Sequence, residues 1–173
     1  MSAVGERNDY GLTPLERYRI LTRYRTIAMV GLSSNYYNAS SFAAIYLDAN
    51  GYDIVPVNPA QAGKRQILGR PVYADLAAAA AGHPRPIEIV DVFRPAQEAP
   101  TIARQAVRIG AKVLWLQLGV ISEEAARIAR EAGLQVVMDR CCKIEHARFF
   151  GGLRTIGLNT GVVTSRLALK IPV

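Results

Sequence analysis

Thr26-Ile27-Ala28-Met29-Val30-Gly31-Leu32-Ser33-Ser34 is an apolar run halted by a glycine and two serines, and its reading decides the fold. Five apolar or β-branched residues suit a buried strand and are too few for a buried helix. Downstream, Ser40 or Ser41 is placed to cap a helix that runs through Asp48 and stops at Asn50-Gly51. Strand, glycine turn and helix in that order are the first half of a βαβ unit.

The same alternation continues outward. Residues 53–57 read as a second strand halted by Asn58-Pro59, and Pro71-Val72-Tyr73 as a minor third one. Asp75 caps an alanine-rich helix from Leu76 to Gly82. Residues 87–93 are a long strand, and a helix from Ala96 or Thr101 to Ile109 follows. Residues 112–118 are another strand, Ser122 opens a helix that closes at Gly133, and residues 135–138 are the last strand. Parallel strands need crossovers, and these helices supply them. The expectation is an α/β, Rossmann-like, doubly wound and mostly parallel sheet with helices on both faces. Upstream, Thr13-Pro14-Leu15-Glu16 has the form of a capping box, so a helix should run to about Arg25. Its apolar face would be Leu15, Tyr18 and Leu21, leaving Arg17, Arg19 and Arg23 solvated. The chain thus divides into an arm and helix (1–25), a Rossmann-like domain (26–149) and a C-terminal extension (150–173).

At 173 residues, half of them apolar and a fifth charged, the chain is long enough to bury one core without staples. No stretch reaches the roughly 20 apolar residues of a membrane span, and no signal peptide precedes the first strand. A cytoplasmic protein is expected. The two cysteines, Cys141 and Cys142, are adjacent and cannot close a useful loop, so reduced thiols are expected. The formal charge of +7 calls for an anionic partner. Nucleic acid is disfavoured, because the cations are scattered and no binding motif accompanies them. A phosphorylated small molecule accounts for the charge at least as well, and the sequence is compatible with a homo-oligomer.

Gly31-Leu32-Ser33-Ser34 sits where an α/β domain cradles phosphate with backbone N–H groups and a helix N-terminus. The loop lacks the three spaced glycines of the dinucleotide fingerprint, so a plain strand-to-helix turn is an equal reading. The second strand ends without the acid that holds an unphosphorylated ribose, and Lys64, Arg65 and Arg70 follow it. That suits a phosphorylated ribose, which both NADP and coenzyme A carry; a solvated basic loop is the alternative. Candidates for catalysis are sparse. His83 reads as a surface turn residue, and His146 lies four positions after Cys142, too few ligands for a metal. Asp91 and Asp139, at strand ends, are expected to cap or to pair with Arg94 and Arg140.

Val30-Gly31-Leu32-Ser33, Val55-Pro56-Val57-Asn58-Pro59, Ala62-Gly63-Lys64, Leu68-Gly69, Val90-Asp91-Val92-Phe93-Arg94, Trp115-Leu116-Gln117-Leu118-Gly119-Val120 and Val137-Met138-Asp139-Arg140-Cys141 carry a family resemblance. The chain resembles the stand-alone CoA-binding proteins, whose domain is shared with the succinyl-CoA synthetase α subunit. The resemblance covers about residues 26–148. It implies a coenzyme A or acyl-CoA site with Gly31, Ser33 and Ser40 near the diphosphate and Ser34 in the same loop. It further implies Pro59 and Lys64 near the 3′-phosphoadenosine, and Phe93, Arg94, Gln117 and Gly119 beside the pantetheine. Cys142 stands where the family often has proline, and residues 151–173 extend beyond the shorter members.

Cys141 follows the last strand and so falls at the ligand-binding edge, as a cysteine does in the synthetase α subunits. A helix beginning near Cys142, with Arg140 and Lys143, would lower the Cys141 thiol pKa and favour, under oxidation, a mixed disulfide of Cys141, or else Cys142, with the ligand by exchange with its disulfide form. The alternative is a buried, inert cysteine packed like a small hydrophobe. The function expected is binding of coenzyme A without catalysis; the alternative is an NADP-dependent oxidoreductase.

Overall fold

Each long strand is followed by a helix that carries the chain back across the sheet, so neighbouring strands meet in parallel. In the computed structural model, which describes residues 12–151, the elements are α1 (Pro14–Arg23), β1 (Thr26–Val30), α2 (Ala39–Ala49) and β2 (Asp53–Val57). A small hairpin of β3 (Gln66–Ile67) and β4 (Arg70–Pro71) leads to α3 (Leu76–Gly82), β5 (Ile89–Val92) and α4 (Ala99–Arg108). Then come β6 (Val113–Leu116), α5 (Glu123–Glu131), β7 (Gln135–Val137) and α6 (Cys142–Phe150). The five long strands form one parallel sheet in the order β2-β1-β5-β6-β7. The sequence-assigned arm up to Gly11 and the extension from Gly152 lie outside the described residues.

Alternation of side chains along each strand splits the core in two. Ala28, Val30, Val90, Val92, Leu114 and Leu116 face α3, α4 and α5. Ile27, Met29, Ile54, Ile89, Val113 and Trp115 face α1, α2 and α6. Both faces are therefore covered, and this is why the strands read as unbroken apolar runs. No helix among the described residues is long and apolar enough to cross a membrane.

The caps at Thr13, Asp75 and Ser122 form as their sequences foretell. Glu16 completes the first one, and its hydrogen bonds from Thr13 hold its carboxyl below the usual range. Other expectations are corrected. Asn38, not Ser40 or Ser41, is the N-cap of α2, because both serines turn inward to bond the preceding loop. Tyr73 bridges Val57 beyond the end of the hairpin, its N–H donating to the Pro56 carbonyl (2.9 Å). This segment covers part of the outer edge of β2, an edge otherwise open to another chain.

Of the face expected to dock α1, Leu21 and Tyr18 pack inward as foreseen, but Leu15 does not and Arg17 does. Leu15 is 56% exposed, whereas Ile20, Leu21 and Arg17 are buried. Arg17 Nε donates to Glu145 on α6 (2.8 Å), and Tyr18 stacks on Phe150. A carboxylate buried on the neighbouring helix, invisible to helical periodicity, draws the guanidinium inward. At the amino end of β2, Asp53 joins His83 (2.7 Å) and Arg85 (2.6 Å) to the sheet. His83 is thus engaged rather than a free surface residue. Arg70 pairs with Asp48 (2.7 Å) at this same end, so it does not join Lys64 and Arg65.

Removing one member of the interior ion pair should be costly. Arg17→Met should lower the unfolding free energy by about 3 kcal/mol, and adding Glu145→Leu should recover most of it. Denaturant melts of the two variants check this. A double variant no more stable than the single one would contradict it.

Candidate functional site

β1 is bonded to β2 on one side and to β5 on the other, so the chain leaves it in opposite directions. At such a reversal the loops diverge and leave a crevice at the carboxyl ends of the strands. The two loops that flank this crevice touch. Gly31 lies at φ +90°, its N–H donating to the Val57 carbonyl (2.8 Å), while Phe93 N–H donates to the Val30 carbonyl (2.9 Å). A Cβ on Gly31 would lie 2.8 Å from Arg94 Cδ and 3.3 Å from the Phe93 carbonyl carbon. The positive φ and this close approach favour glycine here before any ligand arrives.

Short side chains organise the loop after β1. Ser33 N–H donates to Ser40 Oγ (3.2 Å), Ser34 N–H to Gln61 Oε1 (3.1 Å) and Asn35 N–H to Ser33 Oγ (3.0 Å). Ser41 Oγ in turn donates to the Ser33 carbonyl (2.7 Å), and Asn58 Nδ2 to the Leu32 carbonyl (3.0 Å). Neutral oxygens thus occupy the backbone donors that an anion would use. α2 begins directly behind, with no acid in its first turn and no side-chain cap from Asn38. Its positive end is open to an anion.

Gln61 and Asn58 tie this loop to the one after β2, which carries Pro59 and Lys64, both exposed. Lys64 Nζ reaches only the Ala60 carbonyl (3.5 Å). Among the described residues neither Lys64 nor Arg65 meets a carboxylate. An open pocket, lined from the next residue Gln66 onward, lies between Ser33, Ser34 and Tyr36 on one wall, Ile45 of α2, and Ile67 and Leu68 of the hairpin.

Across the crevice, half-buried Phe93 packs on the α2 side of the core, and exposed Arg94 binds Glu98 through two nitrogens (2.9 and 2.7 Å). Gln117 is buried, and its Nε2 donates to both oxygens of Asp91 (2.8 and 3.0 Å). Gly119 N–H donates to Asp139 Oδ1 (2.7 Å). The two aspartates therefore serve neighbouring strands instead of Arg94 and Arg140. The reason is direction: side chains on a strand alternate, and Asp91 shares the inward face with Ile89. Burial pushes its carboxyl up to about 7, against the opposing hydrogen bonds from Gln117. A carboxylate inside a strand buried on both faces was the signal available in the sequence; Gln61 offered none.

Cys141 is the N-cap residue of α6, so the helix does begin at Cys142. The expected lowering of its thiol is overturned. Burial, assisted by the Asp91 charge, raises the Cys141 thiol despite the N–H groups of Ile144 and Lys143, and Cys142 is raised further. His146 is also interior, 3.0 Å from the Tyr46 hydroxyl, and burial lowers its pKa.

The structure thus brings Gly31, Ser33, Ser34, Ser40, Phe93 and Arg94 to the strand reversal, with Gln117 bonded to Asp91 on the adjoining strand. Pro59 and Lys64 stand on the adjoining loop. The chain is 36% identical over 128 residues to the uncharacterized protein YneT of Bacillus subtilis, spanning 74% of this chain and 90% of that one. A hypothetical protein from Pyrococcus horikoshii superposes with a TM-score of 0.77 at 37% identity, covering 87% of this chain and all of the other. The apo dinucleotide-forming acetyl-coenzyme A synthetase 1 of Ca. Korarchaeum cryptofilum shares the fold at 19% identity and a TM-score of 0.54, over 66% of this chain and 26% of that one. The model of the CoA binding domain matches residues 25–147, and the chain belongs to that family.

Proposed function

We propose that the chain binds coenzyme A, or an acyl-CoA, across the crevice at the carboxyl ends of β1 and β5, and does so without catalysing a reaction. The observation that carries the ligand is the loop after β2, where Lys64 and Arg65, next in the chain to the pocket-lining Gln66, have no carboxylate partners among the described residues. A 3′-phosphate supplies the missing counter-charge, and the adenosine has Tyr36 and Leu68 as apolar walls. The diphosphate then meets the N–H groups of Ser33 and Ser34 and the start of α2, displacing neutral side-chain acceptors. The pantetheine runs past Phe93 and Arg94 toward Gln117, Gly119 and Cys141. Family membership favours this ligand over NADP. A binding role agrees with two thiols that burial keeps protonated and two histidines already engaged by Asp53 and Tyr46.

Coenzyme A should bind more tightly than dephospho-CoA by about 1.5–3 kcal/mol, roughly 10- to 150-fold, with the gap shrinking in salt. Lys64→Ala should bring the two affinities close together. Isothermal calorimetry decides; equal affinities for the unmodified protein would overturn the assignment of this loop.

Gly31→Ala should place a methyl group against Arg94 in a left-handed backbone that costs about 1–2 kcal/mol. Affinity for coenzyme A should drop at least tenfold while the far-ultraviolet circular dichroism of the fold persists. Unchanged binding by the folded variant would move the site elsewhere.

A further inference from the structure

We propose that ligand binding in the crevice is coupled to proton uptake by Asp91, with Gln117 as the link between the rim and the buried carboxylate. The inference rests on the reading of the crevice as a coenzyme A site and names a regulation of that site.

Asp91 is the third residue of β5, two positions before Phe93, and has no exposed surface. Among the described residues no cation pairs with it or shifts it. β1 presents Met29 at its register and β6 presents Trp115. α2 contributes Ala43, Ala44 and Leu47 to the core on that side. The start of α6 brings the thiols of Cys141 and Cys142, both kept neutral by burial and by Asp91 itself. Further along α6, Glu145 is held by Arg17. Gln117 is the only side chain that hydrogen-bonds Asp91 among the described residues. A buried carboxylate with neutral donors only, the Gln117 amide and the Val92 backbone, and no counter-ion among the described residues sits close to the balance between its two protonation states.

An amide offers a donor at one end and an acceptor at the other. With Asp91 ionised, Gln117 commits Nε2 to the carboxylate, so the other end of the amide is an acceptor. Once Asp91 is protonated, its O–H donates to Gln117 Oε1, and the turned amide offers Nε2 as a donor instead. A ligand rich in phosphate and amide oxygens matches the second arrangement, and its negative charge also favours the neutral acid. Binding thus raises the Asp91 pKa. The bound form holds more protons than the free form, so affinity falls as pH rises through about 7.

Calorimetry with coenzyme A at about pH 7.5, in two buffers of different ionisation enthalpy, reads the proton count directly. The wild type should take up roughly half a proton, and Asp91→Asn close to none. Affinity should weaken several-fold from about pH 6 to 8 in the wild type and stay nearly flat in Asp91→Asn. Gln117→Met, which strips Asp91 of its side-chain donor, should move the midpoint of the wild-type profile to higher pH. Equal proton uptake by wild type and Asp91→Asn would overturn the coupling, as would an unmoved midpoint in Gln117→Met. Absence of any coenzyme A binding by the wild type would instead overturn the reading of the ligand, and the coupling with it.

Discussion

Hydrogen bonding of β1 on both edges, to β2 and to β5, is the constraint from which the remaining architecture follows. A strand paired in parallel on both sides cannot be connected by tight turns, so a helix must cross each face of the sheet. The chain leaves β1 toward one neighbour and later returns beside it on the other side. The loops after β1 and β5 thereby flank one crevice, and they approach so closely that Gly31 has no room for a side chain.

Covering both faces has an electrostatic consequence. A polar side chain in the interior of such a strand has no route to water, so it must find its partner inside the sheet. Asp91 finds the Gln117 amide on β6's outgoing end, which ties two adjacent strand ends together near the crevice. The same rule explains Arg17 and Glu145, which join α1 to α6 on the face opposite α4. In both cases the residue's environment is set by an element far away in sequence.

Among the described residues, neutral side chains and no charged partner hold the loop after β1. Ser40, Gln61 and Ser33 each accept from a backbone N–H, and none of them competes strongly with an anion. Such acceptors keep the loop shaped while leaving its donors exchangeable. The covered, thiol-raising environment at the start of α6 shows the other side of burial. The helix N-terminus that would favour a thiolate is outweighed by the loss of water.

Local residue order was sufficient for the five long strands, most helices, three side-chain caps and the parallel class of the sheet, but not for the β3–β4 hairpin. Those features depend on period-two and helical patterns and on capping chemistry within a few residues. Gly31 was legible as a special backbone position because an apolar run stopped at it. The strand order, the contact between Gly31 and Arg94, the inward turn of Arg17 and the Asp91–Gln117 bond were not legible. Each joins residues more than twenty positions apart, and a sequence pattern reports which side chains share a face without reporting what the facing element presents. Packing alone decided them, because only the assembled layers determine which polar groups lose water and which partners remain within reach.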